Sequence, residues 1–342
     1  MIVREVLDTL VASGTLTEPQ SRELMEELLG GRLEDATIGA VLALLARRGP
    51  TVDELLGAAR AMRAHVTPIP GAAQMTGALI DTCGTGGARK TFNISTLAAI
   101  VAASAGEGKV LVAKHGNRGR SGRGSAEVLR GLGVNVDASP TVQARCLRKT
   151  RVCFCFAVHH HPAMKHAARA RAALGFPTIF NLLGPLTNPA GAPRQVMGVY
   201  ARDLVERIAQ VLAKLECTRA MVVHSDDGLD EISTRGPTTI AHVEHGSVRL
   251  ERFDPKFLGL PVPREDELDA LDLDDAVRIA RDVLGGVKGP PRDIVLLNAS
   301  AALLVAGAAP DWPTAFATAA GAIDAGKAAA TLDLLARTSH EP

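Results

Sequence analysis

Leu79-Ile80-Asp81-Thr82-Cys83-Gly84-Thr85-Gly86-Gly87, leading through Thr91-Phe92-Asn93-Ile94-Ser95 to Ala105, reads as an apolar strand, a glycine turn and an Ala-rich helix. Glycines let the backbone approach a ligand closely, and the free amides at the helix start face an anion. A plain tight turn would carry the same glycines, so this unit speaks first to fold. The alternation repeats outward, with strands expected at Val110 to Val112, Val152 to Val158, Val196 to Tyr200 and Met221 to Val223. Helices are expected at Ser125 to Leu132, Pro140 to Lys149, Pro162 to Leu174 and Asp203 to Leu215. Strand and helix in turn at this spacing predict an α/β class with a mostly parallel central sheet. Thr238 to Phe253 reads as a hairpin around His245-Gly246, and the chain returns to helix over Ile294 to Ala306 and Thr314 to Leu335.

Upstream the period is helical: Ile2, Val3, Val6, Leu7, Leu10 and Val11, then Leu24, Met25, Leu28 and Leu29. Thr17 with Gln20 and Thr51 with Glu54 have capping-box spacing. Pro68-Ile69-Pro70-Gly71 stops the helical run, because proline lacks the amide that a helix interior needs. A small all-helical domain over 1–67 and a larger α/β domain over 68–342 are expected.

Composition narrows the partners. The 342 residues are 46% hydrophobic with 38 basic and 37 acidic side chains, which excludes a disordered chain. A net charge of +1, one Trp and one Tyr argue against nucleic acid, which needs a basic surface or stacking platforms. Five cysteines without C-x-x-C spacing fit reduced thiols in the cytoplasm rather than disulfides or a zinc ribbon. No secretory leader and no apolar stretch of roughly 18 residues is seen, so no membrane partner is expected.

Ligands of open parallel sheets lie beyond the carboxyl ends of the strands. Lys114-His115-Gly116-Asn117-Arg118, continuing to Arg123-Gly124-Ser125, offers charged donors and a serine placed to cap a helix. His159-His160-His161 has no metal-ligand spacing, since neighbouring side chains point apart. Asp226-Asp227-Gly228-Leu229-Asp230-Glu231 crowds carboxylates at a strand end, which suits Mg²⁺, an ion that takes few protein ligands and keeps phosphate oxygens and water. Gly321 to Lys327 has P-loop spacing, but Ala328 replaces the hydroxyl and the segment lies in a helical pattern.

Together these loops resemble the anthranilate phosphoribosyltransferase family. The matching pieces are Gly84-Thr85-Gly86-Gly87 with Phe92 to Thr96, Lys114 to Arg118, His160 to Lys165, Phe180 to Pro189, and Asp227 to Glu231. Each is weak alone; in one order over nearly the whole chain they are specific. The resemblance implies the nucleoside phosphorylase-like fold, with helices from about 162–180 completing the small domain, and a homodimer through that domain. It also implies Mg²⁺-dependent transfer of phosphoribose from phosphoribosyl pyrophosphate (PRPP) to the amine of anthranilate, in tryptophan biosynthesis. Carried over residue by residue, Gly84, Thr85, Gly86 and Gly87 would hold pyrophosphate with Thr91, Asn93 and Thr96 in support. Ser95, Asp230 and Glu231 would bind Mg²⁺. Lys114, Asn117 and Ser125 would contact PRPP, while His115, Asn117, His161 and Arg171 would position anthranilate, with Arg171 on its carboxylate.

The chain departs from the family pattern in both phosphate loops. Ala88-Arg89-Lys90 follows the glycine pair where the family usually has Asp, and each loop is a residue short. Arg89, Lys90, Arg120 and Arg123 are therefore expected to grip phosphate in compensation. Two alternatives stand beside the enzyme: a weakened relative that binds nucleic acid or another polyanion through these arginines, or a nucleoside phosphorylase-like enzyme.

Overall fold

The structure is a computed structural model that describes residues 3–87, 91–119 and 122–342. It opens with four helices: α1 (Val3–Val11), α2 (Glu18–Leu29), α3 (Asp35–Arg48) and α4 (Val52–Ala64). Both expected capping boxes form, Thr17 with Gln20 and Thr51 with Glu54, so each hydroxyl accepts an amide otherwise left unpaired. Glu54 is fully buried and accepts from the amides of Leu16 and Thr51 at 2.9 and 2.7 Å while paired with Arg48. It ties the α1–α2 connection to the ends of α3 and α4.

The rest alternates strand and helix: β1 (Ala78–Gly84), α5 (Ile94–Ala105), β2 (Val110–Gly116), α6 (Ser125–Gly131), α7 (Pro140–Thr150), β3 (Val152–Phe156) and α8 (Ala157–His160). Then come α9 (Lys165–Leu174), α10 (Ile179–Leu183), β4 (Arg194–Gly198), α11 (Asp203–Lys214), β5 (Arg219–Ser225), β6 (Thr238–Glu244) and β7 (Ser247–Phe253). The chain closes with α12 (Leu273–Leu284), α13 (Pro290–Ala306), α14 (Trp312–Asp324) and α15 (Lys327–Ser339).

Among the described residues the sheet runs β3-β2-β1-β4-β5-β6-β7, parallel from β3 to β5, with β6 and β7 added antiparallel as the expected hairpin. Both faces are buried, as parallel strands require. Along β5, Met221 and Val223 face the core under α5 and α13, and Ala220 and Val222 face the one shared with α1–α4 and α11. Helices α9 and α10 pack against α3 and α4.

The elements differ from the sequence reading in several places, among them the fourth strand, which spans Arg194–Gly198 rather than Val196 to Tyr200. Strand β3 stops at Phe156 and α8 begins at Ala157, a change an unbroken apolar run does not signal. The expected helix from Thr314 to Leu335 is two, broken at Ala325-Gly326, where Gly326 takes φ +71°. Gly321 to Asp324 lie within α14 and follow helices rather than a strand, so no P-loop forms there. Helix α12 is not among the expected elements.

The chain leaves β1 toward β2 and β3, then returns to the other side of β1 with β4. Where strand order reverses, adjacent loops diverge and open a crevice at the carboxyl ends. The glycine turn after β1 borders that crevice.

Candidate functional site at the sheet switch point

Gly84 and Gly198 pair across β1 and β4 at the carboxyl edge. Asp230 lies over both. A Cβ on Gly84 would sit 2.7 Å from Asp230 Oδ2, and one on Gly198 would sit 1.7 Å from the Asp230 carbonyl oxygen. The two glycines therefore clear the space that brings the acidic loop after β5 onto the glycine turn. Thr85 completes the junction: its amide donates to the Gly198 carbonyl at 3.0 Å, and its hydroxyl accepts from the Tyr200 amide at 3.1 Å.

The acidic loop sorts its carboxylates by partner. Asp226 pairs with Arg252, and Asp227 accepts from the Ser225 and Ser233 hydroxyls, closing the turn. Asp230 and Glu231 are left at the cleft, half-buried. Glu231 Oε1 accepts from the Ser95 amide at 3.1 Å, at the start of α5. Burial, then the neighbouring Asp230 charge, pushes the Glu231 carboxyl up to about 8, and burial raises Asp230 as well. Two adjacent carboxylates with a hydroxyl from Ser95 are hard oxygen donors lacking a matching divalent charge, a set that fits Mg²⁺. No group of three or more His, Cys, Asp or Glu placed to hold a metal ion occurs among the described residues.

Lys114 on β2 is buried. Its ammonium donates to the Thr82 carbonyl and to Ser95 Oγ at 3.2 Å, so it fixes the Ser95 hydroxyl from behind the turn. Burial lowers its pKa, and Asp81, Glu231 and Asp230 oppose that shift. Asp81, fully enclosed, accepts from the His115 amide at 2.9 Å, and its carboxyl is pushed up to about 6 by burial. Asn93 donates to the Arg123 carbonyl at 3.2 Å while its buried Oδ1 has no partner among the described residues. Thr96 is buried beneath it, and the Thr91 hydroxyl donates to the Phe92 carbonyl at 2.9 Å.

His115 and His161 meet with their Nε2 atoms 3.2 Å apart. His115 Nδ1 faces the Gly184 carbonyl at 3.0 Å, so it carries the proton, and His115 Nε2 must accept from His161 Nε2–H. Burial lowers both rings, to about 3 and about 4, which keeps them neutral at pH 7. The other two histidines point elsewhere, as expected: His159 to Asp137 at 3.0 Å, His160 to the Thr67 carbonyl and Gln143 at 2.7 Å each. Arg171 on α9 lies over the Phe180 ring at 5.2 Å.

On the second loop, Asn117 is exposed and its carbonyl accepts from Ser125 Oγ at 3.4 Å. Ser125 is not the helix cap. Gly124 takes that place, and Glu127 accepts the Gly124 and Gly119 amides at 2.9 and 3.2 Å. Of the four expected phosphate-gripping side chains, Arg89, Lys90 and Arg120 lie outside the described residues. Arg123 instead donates to the Ala270 carbonyl.

Sequence reading assigns no role to Asp81, counts Asp227 among the carboxylates suited to Mg²⁺ although the structure spends it on the Ser225 and Ser233 hydroxyls, and assigns none to Asn298. A lone amide in the apolar stretch Leu296-Leu297-Asn298-Ala299 is the one available signal for the last.

Residues 4–66 match the glycosyl transferase family helical bundle domain, and residues 76–329 match the α/β domain of the same family. The anthranilate phosphoribosyltransferase of Moorella thermoacetica is 46% identical over 336 residues, 98% of this chain and 97% of that one. The crystal structure of the Thermus thermophilus anthranilate phosphoribosyltransferase aligns with TM-score 0.89 at 34% identity, covering 98% of this chain and 99% of that one. The Saccharomyces cerevisiae enzyme, solved in complex with PRPP and Mg, shares the fold at TM-score 0.88 and 22% identity, over 98% of this chain and 97% of that one. The chain belongs to the anthranilate phosphoribosyltransferase family.

Proposed function

We propose that the chain transfers phosphoribose from PRPP to the amine of anthranilate, releasing pyrophosphate, with Mg²⁺ as cofactor and in tryptophan biosynthesis. The observation that carries this reading is the convergence of Asp230, Glu231 and Ser95 on the glycine turn at the switch point. In it, Asp230, Glu231 and Ser95 hold Mg²⁺, which when bound neutralises the charge that builds on departing pyrophosphate. The glycine turn from Gly84 to Gly87 holds the same leaving group, the Thr85 amide being already spent on the Gly198 carbonyl, with Thr91, Asn93 and Thr96 in support. These donors are worth more in the transition state than in the ground state, because charge grows there as the glycosidic bond breaks.

The acceptor is an aryl amine, neutral and nucleophilic at pH 7. A strong base is not required, and neutral His115 and His161 suit that chemistry. Arg171 takes the carboxylate, and Asn117 with the histidine pair orients the ring so that the amine meets the anomeric carbon. Ser125 contacts PRPP in this reading, whereas Lys114, buried behind the turn rather than open to the cleft as the resemblance implies, acts through the Ser95 hydroxyl. The division into a helical domain, 1–67 with about 162–180, and an α/β domain over 68–342 belongs to the same proposal, as do a homodimer through the helical domain and a cytoplasmic location. No described helix is long and apolar enough to cross a membrane.

Mixing the protein with PRPP, Mg²⁺ and anthranilate and following loss of anthranilate fluorescence tests the reading. Wild type is expected to consume anthranilate, Asp230→Asn to be nearly inactive, and Arg171→Ala to show a raised KM for anthranilate with that for PRPP little changed. Full activity in either variant removes the role given to that side chain.

A further inference from the structure

We propose that Asn298 is a positioning residue that sets the Asp230-Glu231 arm; this rests on reading that pair as the Mg²⁺ donors. Asn298 stands on α13, buried in an otherwise apolar stretch. Its Oδ1 accepts from the Ile232 amide at 2.9 Å, and its Nδ2 donates to the Ile232 carbonyl at 2.9 Å and to the Ile294 carbonyl at 2.9 Å. The first two bonds clamp both backbone groups of the residue that follows Glu231. The third locks the amide to its own helix. A buried primary amide is costly unless its groups are paired, and here both N–H groups and the oxygen are used.

The clamp matters because of what lies on either side. Helix α13 packs against α5, and α5 supplies the Ser95 amide that Glu231 accepts at 3.1 Å. Glu231 is thereby held between two helices that are packed on each other, by Asn298 through Ile232 on one side and by Ser95 on the other. Residues that orient a metal ligand without touching the metal commonly govern affinity by 10-fold to 100-fold. The separate Asp227 staple closes the turn on itself but gives it no fixed relation to α5.

Calorimetric titration of PRPP at a series of Mg²⁺ concentrations tests this without relying on turnover. Asn298→Ala is expected to raise the half-saturating Mg²⁺ concentration about tenfold. Combined with Glu231→Gln it is expected to be no worse than Glu231→Gln alone, because both act on one ligand. Asn298→Ser serves if the Ala variant fails to fold, since its hydroxyl can bond back to Ile294 while releasing Ile232. A wild-type half-saturation in the folded variant, additive losses in the double variant, or unfolding of both single variants would each overturn the proposal. Absence of Mg²⁺-dependent PRPP binding in wild type would instead overturn the reading of the pair as Mg²⁺ donors.

Discussion

Asp230 Oδ2 lies 2.7 Å from the point where Gly84 would carry a Cβ, whereas the Asp230 carbonyl oxygen lies 1.7 Å from the corresponding point on Gly198. The two glycines have different duties. At Gly84 a methyl meets the free end of a side chain, which can swing aside. At Gly198 it meets backbone, which cannot. Gly84→Ala is therefore expected to cut kcat/KM for PRPP at least tenfold with the melting temperature nearly unchanged. Gly198→Ala is expected to destabilise the fold by several kcal/mol, about the overpacking range or above it. Steady-state kinetics and thermal melts of both variants check the contrast; equal melting losses would contradict it.

Asp230→Asn removes one of two adjacent carboxylates that disfavour each other's charge. Without Mg²⁺ the variant is expected to melt slightly higher than wild type, by about 1–2 °C, while losing activity. A lower melting temperature would mean that the pair is not repulsive in the folded chain.

His161 is held neutral by burial, with its pKa near 4 against 6.5 when free. The unfolded chain thus takes up this proton first as pH falls, so the stability tied to His161 is complete above about 6.5 and drains away toward 4. Between pH 7 and pH 5 wild type is expected to lose about 2 kcal/mol more than His161→Asn. Urea midpoints of the two proteins at both pH values give the difference. Parallel losses would show that His161 titrates normally.

Glu54 makes a stability prediction remote from the chemistry. Removing its carboxylate leaves the Leu16 and Thr51 amides and the Arg48 charge without their partner in the helical bundle. Glu54→Ala is expected to cost about 3–5 kcal/mol, visible as an earlier denaturation midpoint, while the PRPP KM of the folded fraction stays put.

Local signals were legible in the sequence where one residue type has one physical use. The capping threonines and the hairpin at His245-Gly246 formed as read, and the strand before the glycine turn formed too, but runs on through Gly84. Boundaries inside unbroken apolar or alanine-rich runs were not legible, because periodicity alone does not mark where Phe156 ends a strand or Gly326 splits a helix. The site shows the same divide. Residues that face the cleft stand in recognisable motifs, but Asn298 is distant in sequence and meets Ile232 only after α13 has packed beneath the sheet. Lys114 could be placed on a strand from sequence, yet its direction, inward to Thr82 and Ser95, depends on tertiary packing.

The most direct test of the account is the identity and stoichiometry of what leaves the site. Incubated with PRPP, anthranilate and Mg²⁺, the protein is predicted to yield N-(5-phosphoribosyl)anthranilate by mass spectrometry and one pyrophosphate per product, with both lost on adding EDTA. Pyrophosphate release unchanged by omitting anthranilate, or product formed equally in EDTA, would contradict it.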